Sequence, residues 1–398
     1  MATSTTTGIR PTPGAGTPGR HGGAWRALLA YAWNNSPSPL LRAARRQIDG
    51  LGAAAPLVLS RAERDEVSIA YAGLAVGETN LLQLFERQRA AVAGEVAGRT
   101  RDRIRWRDLR AGRWPDADLV LIGAERHRIR RLPVERSVRA PFRVHLVVDV
   151  DPDPDVQQQR VSKRERWEFR RNRKRYGWSL EQDPSDAALV FFYERMHVPT
   201  MRARHGERGR TESITAARHA ILRHGTLFFV RAGDDRVAGV LCRWSRDRRT
   251  LITRLLGVLD GSDEHYDSGA FKAAYHLVLE WAAVHGVPKV DFFGTEALVS
   301  KGIFQWKRKF GPRVVLPDNH FSTKQMYLHV RRDTPAVRDF LVGNPLLVDT
   351  GVALEPVYFT DPDRPARVQI SARCPGLPEP RIVDLDDFLG PAPGGAHQ

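Results

Sequence analysis

The residues best suited to chemistry lie in one stretch, GVPKVDFFGTEALVSKGIFQWKRKFG, at positions 286–311. Asp291 interrupts an apolar run typical of a buried strand, where a carboxylate is not placed for stability alone. Glu296 follows in a turn, and Lys307 lies in the aromatic, basic segment beyond it. Carboxylates can hold an amine or accept its proton, and a lysine can stabilise a developing negative charge. The stretch therefore combines acid–base groups with a cation.

The rest of the sequence offers no familiar covalent nucleophile. It contains no G-x-S-x-G elbow, no credible Cys/His pair and no metal-ligating cluster, so no metal site is expected. Acyl transfer to an amine requires none of these. It needs a neutral amine close to an activated carbonyl, a group that accepts the proton, and stabilisation of the oxyanion.

The same stretch resembles the closing signature of a known family. DFFG followed by GIFQWKRKFG is similar to the end of the catalytic domain of Fem-type acyltransferases of the GNAT superfamily, which commonly carries an FKxxFG-like segment; Trp306 replaces its usual Phe. The resemblance implies that Lys307 stabilises negative charge on the reacting carbonyl or on a ribose leaving group. Asp291 and Glu296 are the candidates to hold the amine or accept its proton, and Trp306 and Phe310 are candidate substrate-binding residues.

These residues also have purely structural interpretations. Lys307 and Lys309 could be exposed on a terminal strand, as lysines usually are at protein surfaces. Asp291 could form a buried ion pair with one of the many arginines. The sequence alone leaves both alternatives open.

The segment DGSDEHYDSG, at 260–269, bears on the acyl donor. CoA-using GNAT proteins usually carry a Gly-rich turn here, whose N–H groups bind pyrophosphate at a helix N-terminus. This chain instead has four acidic residues before Gly269, which would repel pyrophosphate. The resemblance therefore favours aminoacyl-tRNA as donor and no bound cofactor, with acetyl-CoA as the alternative. His265 and Tyr266 could position substrate, or could be ordinary loop residues.

A second motif is the basic run VSKRERWEFRRNRKRYGW, in which eight of the thirteen residues 163–175 are Lys or Arg. Ser162 and Glu165 predict a capping box at the start of a helix, and Gly177 predicts its end. Fem-type proteins have a similar basic helix where their second half begins. The helix could be a solvated connection, or a surface that binds the phosphates of RNA. The candidate binding residues are Arg164, Arg170, Arg171, Arg173 and Lys174, with Arg202 beyond the helix as a further substrate-binding candidate.

Bulk composition agrees with a folded, basic protein. The chain has 398 residues, 42% of them hydrophobic, and a formal net charge of +16. Such a charge favours anionic partners, although arginine is also frequent in G- and C-rich genomes. Two cysteines indicate a reducing, cytoplasmic setting. No apolar run is long enough to span a bilayer, so we expect a soluble protein with at most peripheral contact to an acidic membrane.

The order of predicted elements defines the expected architecture. Strands at 226–231, 236–244 and 250–260 are followed by a helix and the strand at 287–293. We therefore expect an α+β fold (mixed α/β) of GNAT-like type, built from two tandem GNAT-like halves of which the first is degenerate. The predicted units are a disordered tail (1–23), the degenerate first half (24–155), the catalytic domain (156–345) and a small extension with a disordered end (346–398).

Three functions are compatible with these patterns. The first is an N-acyltransferase that moves an aminoacyl group from aminoacyl-tRNA to an amine of a cell-wall precursor or small metabolite. The second keeps the fold but uses an acyl-CoA donor, as an N-acetyltransferase does. The third is a non-catalytic, basic protein that binds nucleic acid.

Overall fold

The computed structural model describes residues 20–64, 66–206 and 211–390. The α-helices are, in chain order, α1 (Arg20–Asn35), α2 (Pro39–Asp49), α3 (Ala75–Gly77), α4 (Gln83–Ala93), α5 (Trp106–Arg110), α6 (Arg126–Ile129), α7 (Pro154–Arg160), α8 (Lys163–Tyr176), α9 (Asp186–Phe191), α10 (Val198–His205), α11 (Ile214–Ala216), α12 (Asp263–Asp267), α13 (Ala270–Val284), α14 (Gly302–Lys307), α15 (Pro335–Gly343) and α16 (Leu385–Leu389). The strands are β1 (Ala54–Ala62), β2 (Ile69–Gly73), β3 (Val96–Arg105), β4 (Leu119–Glu125), β5 (Ser137–Pro141), β6 (Val144–Asp149), β7 (Trp178–Gln182), β8 (Gly225–Ala232), β9 (Asp235–Trp244), β10 (Thr250–Val258), β11 (Lys289–Thr295), β12 (Arg313–Val315), β13 (Lys324–Val330), β14 (Leu346–Asp349), β15 (Leu354–Thr360) and β16 (Arg381–Asp384).

A seven-stranded sheet in the order β12-β6-β11-β10-β9-β8-β7 forms the second half of the molecule. Strands β8, β9 and β10 pair as an antiparallel meander, α13 follows, and β11 then lies parallel to β10. The predicted order of three strands, a helix and a strand is therefore confirmed, and the fold is of the mixed, GNAT-like type that was expected. Helix α13 is apolar around most of its circumference because it is buried against this sheet.

A six-stranded sheet in the order β3-β1-β2-β4-β13-β5 forms the other half. Strands β2 and β4 are buried along their whole length, in keeping with their nearly continuous apolar sequences. Strand β13 is equally buried, although its sequence KQMYLHV includes Lys324, Gln325 and His329. Helix α4 packs against one face through Leu84 and Phe85, which join one large apolar core. Each of these two sheets packs on its own main apolar cluster, and Val144 and Leu146 of β6 also join the cluster of the six-stranded sheet. This arrangement agrees with a two-half architecture.

The two sheets exchange strands across the predicted division at residue 155. Strand β6 lies before that division but pairs with β11 and β12 in the seven-stranded sheet. Strand β13 lies after it but is inserted between β4 and β5 of the six-stranded sheet. Because β13 is buried on both faces, it needs a hydrogen-bonded neighbour on each side, and the first half supplies both. The domain limits stay a prediction.

The two ends of the chain differ in part from expectation. Helix α1 begins at Arg20, so the predicted tail at 1–23 overlaps its first turn, and residues 1–19 lie outside the described residues. The predicted extension after residue 346 contains a three-stranded sheet, β14-β15-β16. Its side chains join the apolar core of the six-stranded sheet. The predicted disordered end at 391–398 also lies outside the described residues.

The basic helix α8 forms where the sequence predicts it, but its N-terminal cap differs. The Ser162 side chain makes no capping hydrogen bond, whereas Gly177 ends the helix in a left-handed conformation, as expected. Glu165 does not complete a capping box because its buried carboxylate turns inward to Lys272 and Lys309, each 3.3 Å away. No helix in the described part of the chain is long and apolar enough to cross a membrane.

Candidate active site

Strands β10 and β11 separate in the middle of the seven-stranded sheet. They pair only from Thr250 opposite Lys289 to Ile252 opposite Asp291, although both strands continue further. The register of β11 with β6 shifts just beyond Asp291, and the register of β10 with β9 shifts just beyond Thr253. Each shift is a bulge, which bends a strand and leaves a residue out of the ladder. The two bulges open the sheet at its centre.

Phe293 lies at the bulge of β11 in a left-handed backbone conformation, with φ at 65°. A non-glycine residue held in a sparsely populated conformation of this kind costs about 1–3 kcal/mol and persists only where its surroundings impose it. Here the Phe293 N–H donates to Asp291 Oδ1 at 2.7 Å. The Arg254 guanidinium lies 4.1 Å from the centroid of the Phe293 ring. The strained residue is thus fixed by two neighbouring side chains.

Asp291 and His145 form a hydrogen-bonded pair at the same place. Asp291 Oδ2 lies 2.7 Å from His145 Nδ1, and both side chains are largely buried. Within the described residues, the other ring nitrogen of His145 makes no hydrogen bond. A carboxylate that accepts the Nδ1 proton leaves Nε2 with a free lone pair. The alternative of an ion pair between Asp291 and an arginine is wrong, because its partner is a histidine.

A cavity of about 700 Å³ opens in front of this pair, between the sheet and the connection of α1 to α2. Asp291, His145 and Phe293 line it. Its lining cations are Arg223, Arg243, Arg246, Arg248, Arg254, Lys289 and Arg313, against only two acidic residues, Asp291 and Asp318. Arg313 is paired with Asp149, but within the described chain Arg243 and Lys289 form no ion pair. The cavity is therefore strongly positive.

Lys307 is buried and does not line the cavity. Its Nζ donates to the carbonyl oxygens of Phe292 and, at 3.5 Å, Phe293, so it binds the backbone of the bulge from behind. Burial lowers the pKa of Lys307 to about 7, although the nearby carboxylate of Asp291 acts in the opposite direction. The alternative interpretation of an exposed lysine on a terminal strand is wrong for Lys307, which ends helix α14. Lys309 pairs with Glu165.

Glu296, the third predicted catalytic residue, is separated from the cavity. Its buried carboxylate pairs with Lys301. Burial opposes ionisation of this carboxyl, but the charges of Lys301 and Arg143 outweigh it and lower the pKa of Glu296. An ionised, paired carboxylate outside the cavity lining fits a structural role. Of the two predicted carboxylates, only Asp291 lines the cavity, and the catalytic role of Glu296 stays a prediction.

The predicted substrate-binding aromatics lie in the core behind β11. Phe310 is fully buried, and its ring centroid lies 5.2 Å from that of Phe292. The Trp306 ring packs edge-on to Tyr275, with centroids 4.7 Å apart. Neither Trp306 nor Phe310 lines the cavity. Their contacts hold α14 against α13 and so position Lys307.

One of the predicted residues around α12 and α10 lies at a second, smaller cavity of about 370 Å³. Tyr266 lines it, and the Arg204 guanidinium lies 3.7 Å from the Tyr266 ring centroid. His265 is half-buried beside Tyr266, and Arg202 is exposed on α10. Two of the four acidic residues here are neutralised, Asp260 by Arg195 and Asp263 by Arg204. The repulsion of pyrophosphate is therefore weaker than the sequence suggested.

The five predicted phosphate-binding residues on α8 fall into two groups. Arg164 pairs with Glu168, and Arg173 pairs with Glu280. Arg170, Arg171 and Lys174 are exposed and form no ion pair in the described chain. The Arg171 guanidinium lies 4.7 Å from the ring centroid of Trp167, which is itself exposed. The helix keeps a cationic surface with one aromatic side chain on it.

Sequence reasoning missed His145, Arg243, Arg254 and Phe293. His145 is the ionisable side chain in the middle of the apolar segment VHLVV at 144–148, which was a usable signal. Its partner Asp291 lies 146 residues away, however, so only the pairing of β6 with β11 brings the two together. The left-handed conformation of Phe293 has no sequence signature at all.

Comparison with known proteins finds solved structures of low sequence identity and no match by sequence. No family model matches the chain, and no curated protein matches it. Among solved structures, FemX is similar at 12% identity over 77% of this chain and 95% of its own, with a TM-score of 0.37. L-PGS from Bacillus licheniformis is similar at 13% identity over 77% of this chain and 96% of its own, with a TM-score of 0.34. The C-terminal domain of a putative lysylphosphatidylglycerol synthetase from Agrobacterium fabrum is similar at 10% identity over 79% of this chain and 94% of its own, with a TM-score of 0.34.

Proposed function

We propose that this chain is an N-acyltransferase and that the acceptor amine binds in the cavity with its nitrogen beside His145 Nε2. The observation that carries the proposal is the Asp291–His145 pair, which opens onto a large cavity where the sheet separates. A histidine oriented by a carboxylate is a suitable general base near neutral pH. The strained backbone beside it is typical of functional sites.

The reaction needs no covalent enzyme intermediate. The amine nitrogen attacks the acyl carbonyl carbon while His145 takes the amine proton, and Asp291 stabilises the imidazolium. The ester bond to the leaving oxygen then breaks, and His145 returns the proton to that oxygen. Arg254 is the candidate to stabilise the oxyanion, because it lies beside Phe293 and its buried Nε has no hydrogen-bond partner within the described chain.

Lys307 has a positioning role in this proposal instead of contacting substrate. Its hydrogen bonds to the carbonyls of Phe292 and Phe293 hold the bulge that presents Asp291. A displacement of even 1 Å at a reacting group lowers rates by about a hundredfold. The role differs from the direct charge stabilisation that the family resemblance implied.

The proposed donor is aminoacyl-tRNA, a cytoplasmic substrate, which agrees with the predicted location. Exposed Arg170, Arg171 and Lys174 on α8 support an RNA donor, because phosphate contacts supply most of the affinity of such complexes. An acyl-CoA donor is the second candidate. The ion pairs of Asp260 and Asp263 favour it, since they leave less negative charge near the start of α13.

The cavity favours an acceptor that carries a negative charge as well as an amine. Arg243 and Lys289 lie in its lining without carboxylate partners in the described chain, so a phosphate or carboxylate of the acceptor would satisfy both. A cell-wall precursor and an anionic small metabolite both meet this requirement. The third function, a non-catalytic binding protein, gives the Asp291–His145 pair no role.

The experiment is to incubate the protein with a charged tRNA pool and candidate amines, and to measure acceptor-dependent deacylation. His145→Gln should lower the rate by about 10²–10⁴-fold, as expected for loss of a general base. His285→Gln, on the far end of α13, is the matched control and should keep full activity. Full activity of His145→Gln would rule out the proposed base.

The donor is tested separately. If no aminoacyl-tRNA is deacylated, thermal stabilisation by acetyl-CoA decides the alternative, because a ligand that binds only the folded state raises the melting temperature. Absence of both responses would leave the third function.

A further inference from the structure

Helix α2 has the opposite orientation to that of an ordinary surface helix. Its charged residues Arg45 and Asp49 face the protein, with side chains only 18% and 12% exposed. Asp49 also accepts from the buried Lys324 at 2.9 Å. A helix on a globular surface normally turns its apolar face to the core and its charges to water.

The apolar face of α2 points outward. Leu40 and Ile48 are 82% and 54% exposed, and Leu51, just beyond the helix, is 72% exposed. Ala44 is also exposed and is spaced by four positions from both Leu40 and Ile48, so these three share one face of the helix, and Leu51 follows just beyond its end. We call Leu40, Ala44, Ile48 and Leu51 the α2 stripe.

The same region exposes two further large apolar side chains. Trp25 and Leu29, one helical turn apart on α1, are 68% and 66% exposed. Single exposed apolar residues are ordinary, but five large ones within 27 positions form a patch. Elsewhere in the described chain the exposed large hydrophobic residues are scattered singly.

The charge of this region is positive. Residues 20–51 contain five arginines and one aspartate. Arg26, which follows the exposed Trp25 on α1, is itself exposed and forms no ion pair within the described chain. Arg42 and Arg46 lie on the side of α2 away from Leu40. An exposed apolar face in a region of positive net charge is typical of helices that lie in the interface of an anionic bilayer.

We infer that α2, assisted by α1, docks this protein onto the surface of a bilayer that contains anionic lipids. The N-terminal residues 1–19 contain only Met1 and Ile9 as large aliphatic side chains, too few to cover the stripe. A second copy of the chain would bring two positive patches together, which is unfavourable. An anionic lipid surface satisfies both the apolar stripe and the arginines.

The docked orientation has a consequence for the cavity. Asn35, Ser36, Pro37 and Ser38 connect α1 to α2 and line the cavity. The bilayer contact therefore adjoins the cavity wall, and an acceptor carried by a lipid could enter from the membrane. Docking itself does not depend on the proposed acyl transfer.

The test is flotation of the full chain with phosphatidylcholine vesicles, with and without phosphatidylglycerol. The wild-type protein should float with the anionic vesicles. A triple variant, Leu40→Ser, Ile48→Ser and Leu51→Ser, should lose at least about tenfold in partition coefficient, because each removed side chain no longer enters the interface. The matched control replaces three exposed valines elsewhere, Val284, Val352 and Val368, with serine, and should bind like the wild-type protein.

The second part of the test measures how vesicle binding depends on the charge of the arginines. Arg26→Gln should weaken binding to anionic vesicles by about fivefold, with little effect on neutral ones. Arg42→Gln, on the side of α2 away from the stripe, should weaken it less. Failure of the wild-type chain to float, or equal binding by the α2 triple variant and the valine control, would overturn the inference. So would a dimer in sedimentation velocity that the triple variant converts to a monomer, since a second copy would then occupy the stripe.

Discussion

Two buried lysines, one in each half of the molecule, are accommodated in different ways. Lys324 Nζ lies 2.7 Å from Glu125 Oε1 and 2.9 Å from Asp49 Oδ2, so its charge is paired. Within the described residues, Lys307 Nζ hydrogen-bonds only to backbone carbonyls, and burial lowers its pKa to about 7. A buried charge must be paired or reduced by a shift in pKa. The charge of Lys324 is paired, whereas the pKa of Lys307 is lowered.

The strands beside the two lysines differ in regularity. Strands β4 and β13 pair in unbroken register from Lys324 opposite Glu125 to Val330 opposite Leu119. Beside Lys307, β11 bulges and holds Phe293 in a left-handed conformation. The regular sheet with a paired lysine is built for stability. The bulged sheet, whose buried lysine has a lowered pKa, adjoins the cavity and carries the strain expected of a functional site.

Removing the paired lysine should have the largest effect on stability. Lys324→Met leaves Glu125 buried without its partner, which should lower the free energy of unfolding by about 3–5 kcal/mol. Denaturant unfolding followed by circular dichroism measures this. The double variant Lys324→Met with Glu125→Gln should recover part of the loss, because no uncompensated carboxylate remains at position 125. A loss below about 1 kcal/mol for the single variant would show that the pair is dispensable.

Sequence patterns could predict the elements that depend on local periodicity. The meander, α8 and α13 lie close to their predicted positions because alternation, capping glycines and apolar spacing are local properties. The predicted catalytic set was only partly brought together: Asp291 lines the cavity, while Lys307 and Glu296 do not. Burial of Lys307 and pairing of Asp291 with His145 depend on contacts between distant segments, which a single sequence does not contain. The outward stripe of α2 is periodic, but periodicity alone does not say which side faces the protein.

The lowered pKa of Lys307 should give the free energy of unfolding an unusual pH dependence. The folded pKa of Lys307, about 7, lies below its ordinary value of 10.5, so between these values the unfolded chain binds a proton that the folded chain does not. Stability of the folded state must then rise with pH across this window, by up to about 1.4 kcal/mol per unit. Lys307→Met removes the titrating group and should not show this rise.

The measurement is the difference in free energy of unfolding between the wild-type protein and Lys307→Met at pH 7 and pH 9. Other titrating groups contribute equally to both proteins, so the difference isolates Lys307. The wild-type protein should gain relative to the variant as pH rises. A difference that is constant with pH would mean that Lys307 stays fully charged in the folded state, and the contrast with Lys324 would then fail.

The smallest effect concerns the strain at Phe293. Phe293→Gly and Phe293→Ala both remove the ring and its contact with Arg254. At an ordinary position alanine is the more stabilising of the two, but at φ of 65° only glycine adopts the backbone without strain. Phe293→Gly should therefore be more stable than Phe293→Ala by about 1 kcal/mol.

The control is the same pair of substitutions at Phe292, which has no left-handed backbone. There the alanine variant should be the more stable of the two, because glycine adds only unfolded-state entropy. If the alanine variant were the more stable one at both positions, the backbone of Phe293 would not be strained. The main contrast between the two sheets would then be lost.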